Sequence, residues 1–291
     1  MPRSAGVGRP AAEELALRLR PAVEAGRCLI ASDFDGTLAP IVADPTRAAM
    51  LPSARRALER LVSRTPVAVV SGRHAALLAR LCPIPGVILV GSYGLERWQD
   101  GAVLPHPRAL AWRGGWAHDF EEVTAAVGCV LRHAPRGVRI VRKPWGVAVH
   151  LREVAGPRVE LERHLAVELR ILARRFGLRL GRGRLVLELL PPVRCSKGTA
   201  LADLLRTLRP QAAVFAGDDR GDVPALRLLA RDRARLAIAL GLAVSGPETP
   251  PALLREATSV LAGPTVWAAL LHRLAAGLSP PRGRAGPGAA G

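Results

Sequence analysis

Two short acidic segments hold the residues of this chain that are best suited to chemistry. The first is Asp33-Phe34-Asp35-Gly36-Thr37, directly after the apolar run at residues 28–32. Carboxylates at i and i+2, one at a strand end and one in the following turn, can meet one substrate in two roles. One attacks as a nucleophile and the other gives and takes a proton. Gly36 lets the backbone turn tightly, and the amides after it are expected to hold an anion. The second segment is Gly217-Asp218-Asp219-Arg220-Gly221-Asp222, after the apolar run at residues 213–216. Its three carboxylates form a hard-oxygen donor set suited to a divalent cation such as Mg²⁺. Alone, the first segment also reads as a capped surface loop and the second as an acidic turn opening a helix. Taken together they read differently, because five carboxylates gathered at one sheet edge repel one another unless a cation sits among them.

Two further segments complete the pattern. Ser71-Gly72-Arg73 ends an apolar run, and Lys197 opens a helix in Ser196-Lys197-Gly198-Thr199. A hydroxyl and an ammonium are the donors that the non-bridging oxygens of a phosphoryl group require. Singly, each also reads as a cap or a surface charge. The lysines carry extra weight because the chain has 42 Lys+Arg and only Lys143 and Lys197 are lysine. Arg is the default cation here, and a compact ammonium has been kept at two positions only.

The elements that must position these groups follow from the apolar patterning. Strands are expected at residues 29–33, 67–71, 87–92, 213–216 and 236–240, with helices at 53–63, 73–81, 197–208, 223–230 and 266–276. Short, wholly apolar strands alternating with helices make a parallel sheet covered on both faces, with ligands bound beyond the carboxyl ends of its strands. After a hairpin signal at Asp100-Gly101 the patterning changes. A helix at 116–132, alternating strands at 138–143 and 147–152, a long helix at 157–176 and a strand at 184–190 make a second, smaller α/β unit. It enters and leaves at Pro105/Pro107 and Pro191-Pro192. The expected division is a core at 11–105 and 193–278, an inserted unit at 106–192, and loose ends at 1–10 and 279–291.

Composition removes several classes. Of 291 residues, 49% are hydrophobic and 23% charged, which excludes wholesale disorder. The longest apolar stretch, residues 236–244, is far below the roughly 18 residues that span a bilayer, and the N-terminus has no apolar signal region. Cys28, Cys82, Cys129 and Cys195 lie far apart, which argues against a disulfide scaffold or zinc finger and for a reducing, cytoplasmic setting. The net charge of +18 is spread over dispersed arginines with few aromatics, so no nucleic-acid partner is expected.

In order, DFDGT, SGR, the SKG lysine and GDDRGD resemble the four motifs of the haloacid dehalogenase superfamily. DFDGTLAPIV, VAVVSGR, GSYGLERW, HLR, ELLPP, KGTAL and FAGDDRGD resemble its trehalose-phosphatase branch, from about residue 27 to 275. The resemblance implies a Rossmann-like core with a cap over a sugar, and Mg²⁺-dependent hydrolysis of trehalose 6-phosphate. It implies that Asp33 forms an aspartyl-phosphate and that Asp35 is the acid/base, with its backbone carbonyl on the metal. Asp218 would be a direct metal ligand, with Asp222 and Asp219 orienting its waters. Gly36, Thr37, Ser71, Gly72, Arg73 and Lys197 would hold the phosphoryl group, and Lys143, His150, Arg152 and Glu188 the sugar. From the residues themselves, His150 also reads as a core histidine and Glu188 as a structural ion pair. Where the family usually has Glu and a basic residue in the cap, this chain has Val141 and Leu190, which is expected to loosen sugar selectivity. The competing readings are a phosphatase for another sugar phosphate, such as sucrose phosphate or a glycosyl phosphate, and a basic nucleic-acid binder. The sequence does not say whether a synthase partner exists.

Overall fold

The computed structural model describes residues 9–42, 47–183 and 185–278. The expected loose end at 279–291 and residues 1–8 lie outside these. Helix α1 (Arg9–Glu24) leads into β1 (Cys28–Ser32), α2 (Pro52–Leu61), β2 (Val67–Val70), α3 (Ala75–Leu81) and β3 (Ile88–Gly91). The hairpin β4 (Glu96–Gln99) and β5 (Ala102–Pro105) follows, and then α4 (Pro107–Gly114) and α5 (Phe120–Val130). Strands β6 (Arg139–Lys143) and β7 (Gly146–His150), helix α6 (Arg158–Arg175), and strands β8 (Arg179–Gly183) and β9 (Val186–Leu190) form the middle of the chain. The last part is α7 (Lys197–Leu208), β10 (Ala212–Gly217), α8 (Val223–Arg231), β11 (Ile238–Val244), α9 (Pro251–Glu256), β12 (Ser259–Leu261) and α10 (Pro264–Ala275).

The strands form two sheets. The larger has the order β12-β11-β10-β1-β2-β3-β4-β5 and is parallel from β12 to β3, with the β4–β5 hairpin added antiparallel at one edge. The hairpin turns where Asp100 and Gly101 both take positive φ (50° and 81°), the backbone of a tight two-residue turn whose twist suits the strands. Strand β1 lies centrally and all five of its residues are buried. Cys28 and Ile30 pack with α1, α2 and α10, while Leu29 and Ala31 pack with α7 and α8. Two-sided burial explains why its sequence is a continuous apolar run and not an alternating one.

The smaller sheet is antiparallel, in the order β6-β7-β9-β8. Val147, Val149, Leu187 and Leu189 cover one face against α5 and α6. By the period of two the opposite face carries Arg139, Val141, Lys143, Ala148, His150, Glu188 and Leu190. Where the chain crosses between the sheets, Leu95, Ala109, Trp145 and Cys195 make a small separate cluster. There Trp145 Nε1 donates to Glu96 Oε2 (3.0 Å), and the other oxygen of Glu96 accepts from Ser92 Oγ (2.9 Å) and the Ala75 amide (2.6 Å).

Several boundaries differ from expectation for local reasons. The first helix starts at Arg9, inside the stretch read as loose. Helix α4 occupies part of the stretch read as linker. Helix α5 starts only after Asp119, whose side chain accepts from the amides of Glu121 and Glu122. The strand expected at 236–240 lies at Ile238–Val244, because the Leu236 amide closes a turn on Asp232 O (3.1 Å). Strand β8 was not expected at all, since Arg-Leu-Gly-Arg-Gly has poor strand propensity and is held by pairing with β9. Among the described residues no helix is long and apolar enough to cross a membrane.

One buried contact ties the last helix to the floor of the larger sheet. Trp267 is fully buried on α10, and its Nε1 donates to Ser32 Oγ (3.1 Å), which in turn donates to Asp33 O (2.8 Å). Replacing Trp267 by Phe removes that donor and leaves a void. It is expected to lower the free energy of unfolding by about 1–3 kcal/mol, read as a lower urea midpoint.

Candidate active site

Parallel strands bring residues far apart in sequence to one edge. Asp33 follows β1, Ser71 follows β2, Tyr93 follows β3, Asp218 follows β10, and Lys197 is the first residue of α7. The Asp33 amide donates to Ala216 O (2.8 Å), so the backbone of the acidic turn is locked to β10. Ser196 and Thr199 form a reciprocal cap that fixes the start of α7 and therefore the direction of Lys197.

Lys197 Nζ lies 2.7 Å from Asp33 Oδ1 and 2.7 Å from Asp222 Oδ1, with all three side chains buried. Asp222 Oδ2 folds back to accept the amides of Asp218 (3.1 Å) and Asp219 (2.9 Å). Burial works against the charge on Lys197, but the two carboxylates outweigh it and hold the ammonium above its ordinary pKa. Burial drives the pKa of Asp33 well up. Lys197 opposes this, and the neighbouring Asp222 and Asp218 add to it. Asp222 is raised as well, by burial that Lys197 only partly offsets.

Asp33, Asp218 and Asp222 each offer an oxygen within 4.8 Å of the others. Three buried carboxylates beside one ammonium leave negative charge in excess, which is the condition a hard divalent cation relieves. Gly36 supports the same reading. It has φ +78°, and a β-carbon there would overlap the Asp218 carboxylate, so the loop approaches the acids as closely as only glycine allows. The donor set fits Mg²⁺.

Asp35 points elsewhere. Arg73 holds it through two hydrogen bonds, Nε to Oδ2 (2.6 Å) and Nη2 to Oδ1 (2.7 Å). Arg73, expected to hold the phosphoryl group, thus has its guanidinium engaged on the second aspartate. Ser71 is buried, and its Oγ accepts the Arg73 amide (3.2 Å).

A cleft of about 530 Å³ lies between this edge and the open face of the smaller sheet. It brings together Asp33, Asp35, Ser71, Gly72, Arg73, Lys197 and Asp218 from below and Lys143, His150, Arg152 and Glu188 from above. Glu188 is ion-paired with Lys143 and accepts from Tyr93 Oη (2.6 Å). Burial would raise its pKa, but Lys143 and then Tyr93 overcome that and hold it below the usual carboxylate value. His150 is lowered to about 4, first by burial and then by Lys143, so it is neutral at neutral pH.

Three expectations meet a different geometry. Gly36 and Thr37 do not line the cleft. The Gly36 amide donates to Ala39 O (2.7 Å), those of Leu38 and Ala39 to Phe34 O (both 2.9 Å), and Thr37 is fully buried. These amides close the loop on itself. Leu190 shares the face of Glu188 but is 5% exposed and does not line the cleft, because it covers Gly181 and Gly146. Val141, 38% exposed, does line it. The residue that sequence reasoning missed is Tyr93. Its signal is a lone tyrosine in a Gly-Ser-Tyr-Gly turn after a strand. Both Ser92 (φ 49°) and Tyr93 (φ 58°) are held in a left-handed backbone that such residues seldom adopt.

Comparison with known proteins bears on the family and the fold. The sequence model of the family described as trehalose-phosphatase matches residues 31–240. A trehalose-phosphate phosphatase of Mycobacterium tuberculosis is 34% identical over 221 residues, covering 71% of this chain and 52% of that protein. One from Mycobacterium avium is 35% identical over 204 residues, covering 65% and 48%. The chain thus spans about half the length of the curated relatives it matches. In structure, it resembles the C-terminal domain of Candida albicans trehalose-6-phosphate phosphatase, with a TM-score of 0.74 at 20% identity over 89% of this chain and 96% of that one. A haloacid dehalogenase-like hydrolase from Bacteroides thetaiotaomicron gives 0.55 at 15% identity over 84% and 98%. At these identities the structural likeness speaks to the fold, and the fold is the expected one, a largely parallel α/β core. The family rests on the sequence match: the chain belongs to the trehalose-phosphatase family.

Proposed function

We propose that this protein is a Mg²⁺-dependent phosphatase that hydrolyses trehalose 6-phosphate to trehalose and phosphate. The observation that carries this reading is the meeting of Asp33, Lys197 and Asp218 on the floor of a cleft, with Asp222 buried behind them, under a roof that is a largely polar sheet face. Residues 106–192 are read as a cap that selects the sugar. The four cysteines are all free thiols, three of them buried, which supports a reducing, cytoplasmic setting.

Asp33, Asp218 and Asp222, with the Asp35 carbonyl, would hold Mg²⁺, whose charge offsets that of the phosphoryl oxygens. Asp33 attacks phosphorus as the bond to the sugar oxygen breaks, giving an aspartyl-phosphate. Asp35 delivers its proton to the departing sugar oxygen. It then takes a proton from the water that attacks the aspartyl-phosphate, releasing phosphate and restoring the Asp33 carboxylate. Arg73 holds both oxygens of Asp35 in the free protein, so this pair must open before Asp35 gives or takes a proton. Lys197 and Ser71 hold the phosphoryl oxygens. Lys143, Glu188, His150 and Arg152 offer donors and acceptors to the sugar hydroxyls. A phosphatase for another sugar phosphate is the competing reading, favoured by the aliphatic Val141 on the cleft wall.

The primary test is phosphate release from a panel of sugar phosphates. Trehalose 6-phosphate is expected to give the highest kcat/KM, chelation to abolish turnover and Mg²⁺ to restore it. Asp33→Asn, folded by circular dichroism, is expected to retain under a few percent of activity, about a fiftyfold loss or more. Asp35→Asn should still bind phosphate while failing in proton transfer. Activity in both variants would overturn the mechanism.

Lys197→Arg keeps the charge but puts a planar fork where a point donor bridges two carboxylates. A loss of about a hundredfold in kcat is expected, and near-normal kinetics would remove Lys197 from the phosphoryl site. Val141→Glu restores a carboxylate on the cleft wall. The ratio of kcat/KM for trehalose 6-phosphate over glucose 6-phosphate is expected to widen by about tenfold to a hundredfold, the worth of one hydrogen bond to a charged group. Leu190→Arg alone, at a covered position, should leave that ratio in place.

A further inference from the structure

Tyr93 belongs to the phosphatase core yet bonds to the cap. Its amide donates to Ser71 O (3.0 Å), tying it to the strand end that carries the hydroxyl clamp. Its ring lies against Gly72, where a β-carbon would sit 2.6 Å from Cζ, and beside Gly221 in the acidic turn. Its hydroxyl donates to Glu188 Oε2 (2.6 Å), while Lys143 takes Glu188 Oε1. One oxygen of a buried carboxylate is thus held from the turn after β3 and the other from β6 of the smaller sheet.

We propose that Tyr93 is a positioning residue that latches the cap to the core by fixing the Glu188 carboxylate. A phenol is suited to this task, since a rigid ring wedged between two loops aims one O–H at one acceptor with little entropy to lose. The same residue grips the backbone of Ser71, so the phosphoryl site and the sugar-facing carboxylate are referenced to one side chain. With the latch made, Glu188 and Lys143 are preorganised as a pair facing the cleft. Without it, Glu188 is held from the cap side alone. The proposal rests on the phosphatase reading above for its kinetic consequence, but the latch itself is a property of the free protein.

The test is a double-mutant cycle over Tyr93→Phe and Glu188→Ala, with the phenylalanine ring keeping the wedge. In the wild-type background, Tyr93→Phe is expected to raise KM for trehalose 6-phosphate about tenfold or more, with kcat changing less than about threefold. In the Glu188→Ala background the same change is expected to add less than about twofold. Equal effects in both backgrounds, or a loss confined to kcat, would overturn the latch, because a role in chemistry or in the fold does not depend on Glu188. Small-angle scattering of the substrate-free proteins gives a second reading. An increased radius of gyration in Tyr93→Phe supports the latch and an unchanged one overturns it. If the wild type fails to hydrolyse trehalose 6-phosphate, the substrate reading falls and the scattering comparison still decides the latch.

Discussion

The site depends on one buried ammonium. Lys197 sits 2.7 Å from two carboxylates that belong to different loops, and burial would make any of the three ions costly alone. Held together they constrain one another. The cap of α7 fixes the lysine, the bond of the Asp33 amide to β10 fixes the first acid, and the two amides on Asp222 fix the second. A parallel sheet is what makes this possible, since it delivers the ends of β1, β2 and β10 and the start of α7 to the same edge with backbone precision.

The open face of the smaller sheet works by contrast of size. Across one register row the open face presents Val141, Ala148, Glu188 and Gly181, so the carboxylate rises between two small neighbours. This leaves room for a ligand above Glu188 while Leu190, one row along, fills the space over Gly146 and Gly181. On this side the cleft wall is thus shaped by few positions, of which Val141 is the aliphatic one that stays open.

Much of this was legible in the sequence, for physical reasons. The core strands are short apolar runs because both faces are buried, and the acids and the lysine directly follow or begin such elements, so a parallel sheet implied their meeting. The resemblance implied that Lys143, His150 and Glu188 lie near one another, and the register of β6, β7 and β9 sets all three on one face. What it could not say is which residues on that face stay open. Leu190 is covered by packing that depends on glycines in two other strands. The amides of the Asp33 loop looked available from composition, yet a turn satisfies its own donors first. Strand β8 exists by tertiary pairing against its own propensity, and Tyr93 functions from a strained turn that no periodicity describes.

The crossover topology has an electrostatic consequence that the side chains do not reveal. Helices α7 and α8 both begin beside the cluster of acids, α7 with Lys197 itself and α8 directly after Asp222. Their aligned peptide dipoles add a fixed positive potential there, worth a fraction of a charge per helix. Unlike the charges of the surface arginines, this potential lies at the buried floor of a cleft, where ionic strength screens it little. The surface charge of the chain can then govern how an anion arrives, while the fold itself supplies part of what holds it.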